Sequence, residues 1–190
     1  NLLRIDHYNR IWFSPLLGNF AYWEDGKITS VNALGEFNLN DIRISSFDIQ
    51  MKDQLWIGTL ETGLMHWDGK ALSVFTENNG LMSNKIDGVL NISDTRTWVL
   101  FDNGMQSLDF KEGQWRVGKF YDDTHGFLGN GSYTNAIFWD TVNESVWVGT
   151  QNGAVAVSEV NEAKSFVEFF PEIRDIDLFF EPNKWSGFEQ

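Results

Sequence analysis

The sequence predicts an all-β chain built as a β-propeller, with four blades of four antiparallel strands each. Three observations carry this. Tryptophan returns at Trp12, Trp56, Trp98 and Trp147, at separations of 44, 42 and 49 residues. A glycine follows each of them six or seven positions later, at Gly18, Gly63, Gly104 and Gly153. Upstream of each lies an apolar run and then a polar turn: LLRID before HYNR, SFDIQ before MKD, GVLNI before SDTR and NAIFW before DTVNE. A unit of about 40 to 50 residues holding four short strands marks a propeller blade rather than a helical solenoid.

The second repeat, 39–83, shows the elements best. Leu55 to Thr59 joins a large aromatic to β-branched and small residues, which suits a half-buried pleated surface. Leu60 to Gly63 is a polar turn, and Leu64 to Trp67 is the next strand. Asp68-Gly69 reads as a two-residue hairpin turn, where positive φ is needed. Ala71 to Thr76 runs back, and Glu77 to Gly80 closes the unit with turn formers. The repeat glycine is expected where flat blades pack face to face and a side chain would hold them apart.

The first repeat, 1–38, has strands LLRID, RIWFS and NFAYW, with Pro15 in the turn after Trp12 and Asp25-Gly26-Lys27 matching Asp68-Gly69-Lys70. In the third, 84–130, Trp98-Val99-Leu100-Phe101 replaces Trp-Ile-Gly-Thr and Lys111-Glu112-Gly113 makes a looser hairpin. The loop YDDTHGFLGNGSY follows it. The fourth, 131–170, restores Trp147-Val148-Gly149-Thr150 and ends in a glycine-free hairpin near Asn161-Glu162-Ala163. Pro171 changes the rhythm, and 171–190 reads as a linker and the first strand of a further domain, too short to be ordered by itself.

Composition narrows the chemistry. With 42% hydrophobic and 15% aromatic residues in 190, the chain has ample material for a packed core. Fourteen basic against 27 acidic residues give a net charge of −13, which repels phosphate backbones and makes nucleic acid a poor partner. The absence of cysteine removes disulfides, thiolate metal sites and Cys nucleophiles. No apolar run approaches membrane-spanning length and no signal peptide is present. The chain starts at Asn1-Leu2-Leu3 inside what reads as a strand, so it is expected to be a piece of a longer or processed protein.

No catalytic residue, metal site or cofactor is expected. His7, His66 and His125 sit at non-equivalent places in their repeats; His66 takes the position of Tyr22, a strand-surface role. No HExxH, EF-hand, GxSxG, phosphate-binding loop or Rossmann fingerprint occurs. Asp175 and Asp177 lie on one solvated strand face. Of nine tryptophans, the four periodic ones are core; one or two of Trp23, Trp67, Trp115, Trp139 and Trp185 are expected to be exposed, where an indole can stack on a sugar. The turns after each second strand and the loops into the next blade should share one rim. On that rim Glu61, Asn79, Lys85, Asp122, His125 and Asn130 are the candidate ligand-binding residues.

The run LWIGTLETGLMHWDGKALSVFTENNGLMSNKI resembles the two-component regulator propeller repeat, through Leu55 to Thr59, Gly63-Leu64, Asp68 to Lys70, Gly80-Leu81 and Asn84. Repeats one and three carry the degenerate WFSP and WVLF. PEIRDIDLFFEPNKWSGF looks like the opening of the triple-tyrosine domain that follows such propellers in hybrid two-component sensors of Bacteroidetes. The resemblance implies the periplasmic ectodomain of an inner-membrane histidine kinase. It implies a small-molecule or oligosaccharide ligand, the rest of the ectodomain as partner, and a seven-bladed propeller of which four blades are present. The alternative is a propeller scaffold for protein–protein interaction. Four blades leave two faces uncovered, and about 400 Å² of apolar area in water costs on the order of 10 kcal/mol. Ring closure, a homodimer or further blades should therefore cover those faces.

Overall fold

The computed structural model describes residues 2–14, 20–51, 53–125, 127, 131–158, 167–169, 177–178 and 181–182. Four antiparallel sheets of four strands follow one another along the chain. The first contains β1 (Leu2–Ile5), β2 (Ile11–Ser14), β3 (Ala21–Glu24) and β4 (Lys27–Ser30). A short pair, β5 (Ala33–Leu34) and β6 (Phe37–Asn38), links it to the second sheet: β7 (Ile44–Met51), β8 (Gln54–Thr59), β9 (Leu64–Trp67) and β10 (Leu72–Phe75). The third is β11 (Gly88–Ser93), β12 (Arg96–Phe101), β13 (Gly104–Lys111) and β14 (Gln114–Tyr121). The fourth is β15 (Ser132–Asp140), β16 (Ser145–Thr150), β17 (Gly153–Ser158) and β18 (Val167–Phe169). Beyond it, β19 (Asp177–Leu178) pairs with β20 (Glu181–Pro182). The rest of the expected linker and further domain, the hairpin near Asn161, and Pro15, Gly18, Asn130, Asp175 and Trp185 lie outside the described residues.

Period-two alternation along each second strand assembles the stack, because successive side chains point to opposite faces. Trp12 joins Phe20, Phe47, Leu55, Ile57 and Met65 in a core between the first and second sheets. Trp56 joins Leu64, Val89, Val99, Phe101 and Leu108 between the second and third. Trp98 joins Leu100, Ile137, Val146, Val148 and Val155 between the third and fourth. In each case the repeat tryptophan faces forward, and the apolar residues beside it in sequence face back. The fourth tryptophan, Trp147, is only half-buried. At the other end, Leu3, Ile5 and Ile28 on the first sheet are 59%, 64% and 62% exposed, as is Phe138 on the fourth at 65%. Both end faces of the stack thus keep apolar side chains in water.

A buried indole N–H needs an acceptor, and for two of the repeat tryptophans the residue six positions earlier supplies it. Trp12 Nε1 donates to Asp6 Oδ2 at 2.9 Å and Trp56 Nε1 to Gln50 Oε1 at 3.3 Å. Asp6 also accepts Arg10 Nε at 2.6 Å, and Arg10 Nη1 reaches Asp53 at 2.8 Å, tying the first sheet to a turn of the second. Polar bonds join the innermost strands. The Val89 amide donates to Ser46 Oγ at 3.0 Å and the Asn91 amide to Asp48 Oδ2 at 2.7 Å. Asn135 Oδ1 accepts both Ser46 Oγ at 3.0 Å and Arg4 Nη2 at 2.9 Å, which brings the first, second and fourth sheets together at the hub.

Two turn expectations are corrected. Asp68-Gly69 lies in a four-residue loop, since Trp67 pairs with Leu72, and Asp68 Oδ1 closes it by accepting the Lys70 and Ala71 amides at 2.8 and 2.7 Å. Tight two-residue turns appear at Asp25-Gly26, between Glu24 and Lys27, and at Glu112-Gly113, between Lys111 and Gln114, where both residues take positive φ (53° and 78° in the second). The repeat glycines also have a different reason from face-to-face packing. A Cβ on Gly63 would lie 2.2 Å from the Phe75 carbonyl oxygen, and one on Gly104 would lie 2.3 Å from that of Tyr121. Both obstacles belong to the fourth strand of the glycine's own sheet. The close approach between sheets falls on Gly58, where a Cβ would meet Ile86 Cγ2 at 2.6 Å.

Candidate functional site

A cleft of about 660 Å³ opens between the second and third sheets. The ends of β7 and β8 bring Gln50 and Gln54 to it, β9 brings His66, and the loop after β9 brings Asp68. Ser73 and Phe75 come from β10, and Asp94 from the turn after β11. The turn into β14 brings Gln114 and Trp115. This turn works because positive φ at Glu112-Gly113 reverses the chain within two residues, so the aromatic that follows stands at the mouth of the junction. The Trp115 ring meets Trp56 edge-on at 4.8 Å and Phe110 at 5.3 Å. An adjoining groove of about 450 Å³ runs on past Phe75, Asn79 and Trp115 to Gly118.

His66 corrects the expectation of a strand-surface role. It does stand opposite the repeat tryptophan as Tyr22 does, with Trp56↔His66 matching Trp12↔Tyr22 in register. Yet it is only 6% exposed, stacked on Trp56 at 4.1 Å with Trp115 edge-on at 5.6 Å. Its Nε2 is buried without a hydrogen-bond partner. Burial pushes its pKa down to about 4, against a smaller upward pull from Asp68. The folded ring is therefore neutral at pH 7.

A pH prediction follows from that shift. The unfolded imidazole takes a proton below about pH 6.5, whereas the folded one refuses it until near pH 4. Stability that is complete above pH 6.5 should fall as pH drops to 4, by on the order of 3 kcal/mol from this group. Asp6, held low, adds to the loss, while Asp48 and Asp87, raised by burial, oppose it. Comparing melts of the wild type and His66→Phe from pH 7 to 4.5 cancels those carboxylates. The wild type should lose more stability than the variant, and parallel profiles would contradict the assignment.

The expected rim does form. Gly63 N donates to Asn84 O at 3.0 Å, Ser132 N to Asp102 O at 3.2 Å and Gln151 N to Gly131 O at 3.0 Å. The first two bonds join a turn after a second strand to the loop entering the next sheet, and the third joins the turn after β16 to the loop entering its own sheet. The candidates on it are scattered. Glu61 pairs with Arg43 in solvent, and Lys85 Nζ stands 3.6 Å from the buried Asp87. Asp122 closes its own turn by accepting Thr124 N and Oγ1 at 3.0 and 2.6 Å. His125 ends the short 3₁₀ turn Asp123–His125, and its side chain, like Asn130, lies outside the described residues. Asn79 caps the 3₁₀ turn Glu77–Asn79, accepting Thr76 N and donating to Val74 O, and it lines the cleft. Of the cleft's other residues, Gln50, Gln54, Asp68, Asp94 and Gln114 lie at turns at the opposite ends of the strands, and the sequence reading did not select them. A signal was present in Trp115, the aromatic placed two residues after Gly113. Among the described residues, no group of three His, Asp or Glu could hold a metal ion.

The same arrangement of sheets occurs in solved extracellular domains from B. thetaiotaomicron. That of the hybrid two-component system BT3049 superposes with a TM-score of 0.64 at 22% identity, covering 84% of this chain and 21% of that one. The domain of BT4673 gives 0.67 at 18% identity, over 90% of this chain and 24% of the other. The fold is a β-propeller. Virginiamycin B lyase from Staphylococcus aureus shares it, with a TM-score of 0.63 at 14% identity over 90% of this chain and 55% of the enzyme. The propeller described here spans about a quarter or less of the length of these two extracellular domains. No family model and no curated protein matches the chain. No helix among the described residues is long and apolar enough to cross a membrane.

Proposed function

We propose that this chain is part of the ligand-sensing ectodomain of a two-component histidine kinase, placed in the periplasm and responsive to a glycan-derived oligosaccharide. Its four sheets are four blades, over 1–38, 39–83, 84–130 and 131–170, of a seven-bladed propeller. Residues 171–190 lead into a triple-tyrosine-like domain. The observation that carries the reading is the open end of the stack. Trp147 repeats the forward-facing position of Trp12, Trp56 and Trp98, and the first sheet presents Leu3, Ile5 and Ile28 backwards. Such a pattern asks for more blades of the same kind on both sides, as in a long receptor ectodomain. The likeness in fold to extracellular two-component domains supports the same reading.

The function is binding rather than bond-making, with any kinase activity elsewhere in the protein. A ligand shifts a sensor only by its differential affinity for two arrangements of propeller and following domain. Residues 171–190 form the covalent route between those two parts. In the full-length protein, coupled to a transcriptional reporter, replacement of 171–190 by a Gly/Ser linker of equal length should abolish the response to oligosaccharide while leaving binding intact. A retained response would remove the proposed route of transmission. Silence of the intact protein across an oligosaccharide panel would favour an interaction scaffold that uses the exposed Leu3, Ile5 and Ile28 face.

A further inference from the structure

We infer that the cleft between the second and third sheets is the binding site for an uncharged saccharide, with Trp115 as the stacking surface and the partnerless Nε2 of His66 as a buried polar group beside it. This rests on the sensing reading for its biological meaning and on the cleft alone for its chemistry.

The lining decides the ligand class. Among the described residues the cleft's lining holds no Lys or Arg, and it presents Gln50, Gln54, Gln114, Asn79 and Ser73 around an aromatic wall. Amides and hydroxyls supply donors and acceptors together, the combination that a ring of hydroxyl groups needs. An anionic ligand would meet Asp68 and Asp94, with no Lys or Arg among the described lining residues to receive it. A cationic ligand would find Asp68 Oδ1 already committed, since it accepts the Lys70 and Ala71 amides of its own loop. The aromatic wall suits the apolar face of a sugar, and the 660 Å³ of space lies within the ordinary size of small-molecule sites.

His66 supplies the second observation. A buried imidazole nitrogen without a partner costs free energy, and nearly all buried polar side-chain atoms in folded proteins have one. The ring is held between Trp56 and Trp115 in the wall of the cleft, so it cannot turn to find water. A ligand hydroxyl that displaces a neighbour and hydrogen-bonds Nε2 removes that penalty in the bound state alone. The site also explains Trp115, which the core cluster holds only at its margin.

The test is a titration of the purified protein, followed by tryptophan emission. Probes are neutral gluco-, galacto-, manno- and xylo-oligosaccharides, an oligogalacturonate as the acidic arm and choline as the cationic arm. One neutral series should quench emission, and Gln114→Ala, an exposed substitution that leaves the core intact, should weaken it about ten-fold. Trp115→Ala should abolish binding, and Lys85→Ala on the rim should leave it unchanged. Loss on Lys85→Ala with normal binding by Gln114→Ala and Trp115→Ala would overturn the cleft and leave the sensing reading standing. Preference for the oligogalacturonate or choline would overturn the ligand class. No binding of any neutral series by a folded protein would overturn the proposal, while a reporter response in the full-length protein would show separately whether sensing survives.

Discussion

Trp56→Ala is expected to destabilise the protein by about 3–5 kcal/mol, most of the stability of an ordinary domain. Trp56 is fully buried, stacked on His66, edge-on to Trp115 at 4.8 Å and 6.2 Å from Phe75. Removing the indole leaves a void between two sheets, each held rigid by its own hydrogen-bonded ladder, so neither can collapse into the space. Trp147→Ala makes the decisive comparison. It deletes the equivalent side chain from a half-buried site and should cost about 1 kcal/mol in this chain. If a further blade covers the fourth sheet in the longer protein, the two costs converge there. Urea midpoints at pH 7 measure both. Equal losses in this chain would mean that Trp147 is already packed as Trp56 is, and the open end face would be wrong.

The repeat was legible because it is written twice, in the tryptophan period and in the alternation around it. Alternation at β8 sends Leu55 and Ile57 back and Trp56 forward, and this sorting alone yields the three cores. The turns were less legible, since Asp-Gly announces positive φ without stating loop length: Asp25-Gly26 joins paired residues directly, while Asp68-Gly69 is extended by its own carboxylate bonds. His66 was placed correctly in register and wrongly in exposure. Its burial comes from Trp115, 49 positions away in another sheet, and a repeat pattern within one sheet carries no information about that contact. The cleft was hidden for the same reason. Its walls belong to two repeats, and apart from Asn79 the rim residues that attracted the sequence reading lie at the other end of the strands.

Gly63→Ala should cost about 3–4 kcal/mol, although it adds one methyl group. Two effects combine. Gly63 sits at φ +86°, where a Cβ costs about 1–2 kcal/mol in backbone strain. The new Cβ would also lie 2.2 Å from the Phe75 carbonyl oxygen, far inside contact distance, which forces apart β9 and β10 at about 1–3 kcal/mol. Neither strand yields easily, because the Gly63 carbonyl accepts both Thr59 N at 3.2 Å and Thr59 Oγ1 at 2.8 Å, and its amide donates to Asn84 O at 3.0 Å. Gly26→Ala isolates the first effect: φ is +81° there, with nothing within 4 Å of the added atom, so only the strain of about 1 kcal/mol should remain. Gly104→Ala meets the Tyr121 carbonyl at 2.3 Å without that positive φ, and its loss should fall between the two. The order Gly63, Gly104, Gly26 in urea midpoints is the expected result. A Gly63→Ala protein no less stable than Gly26→Ala would show that the carbonyl of the fourth strand is not what keeps glycine in the repeat.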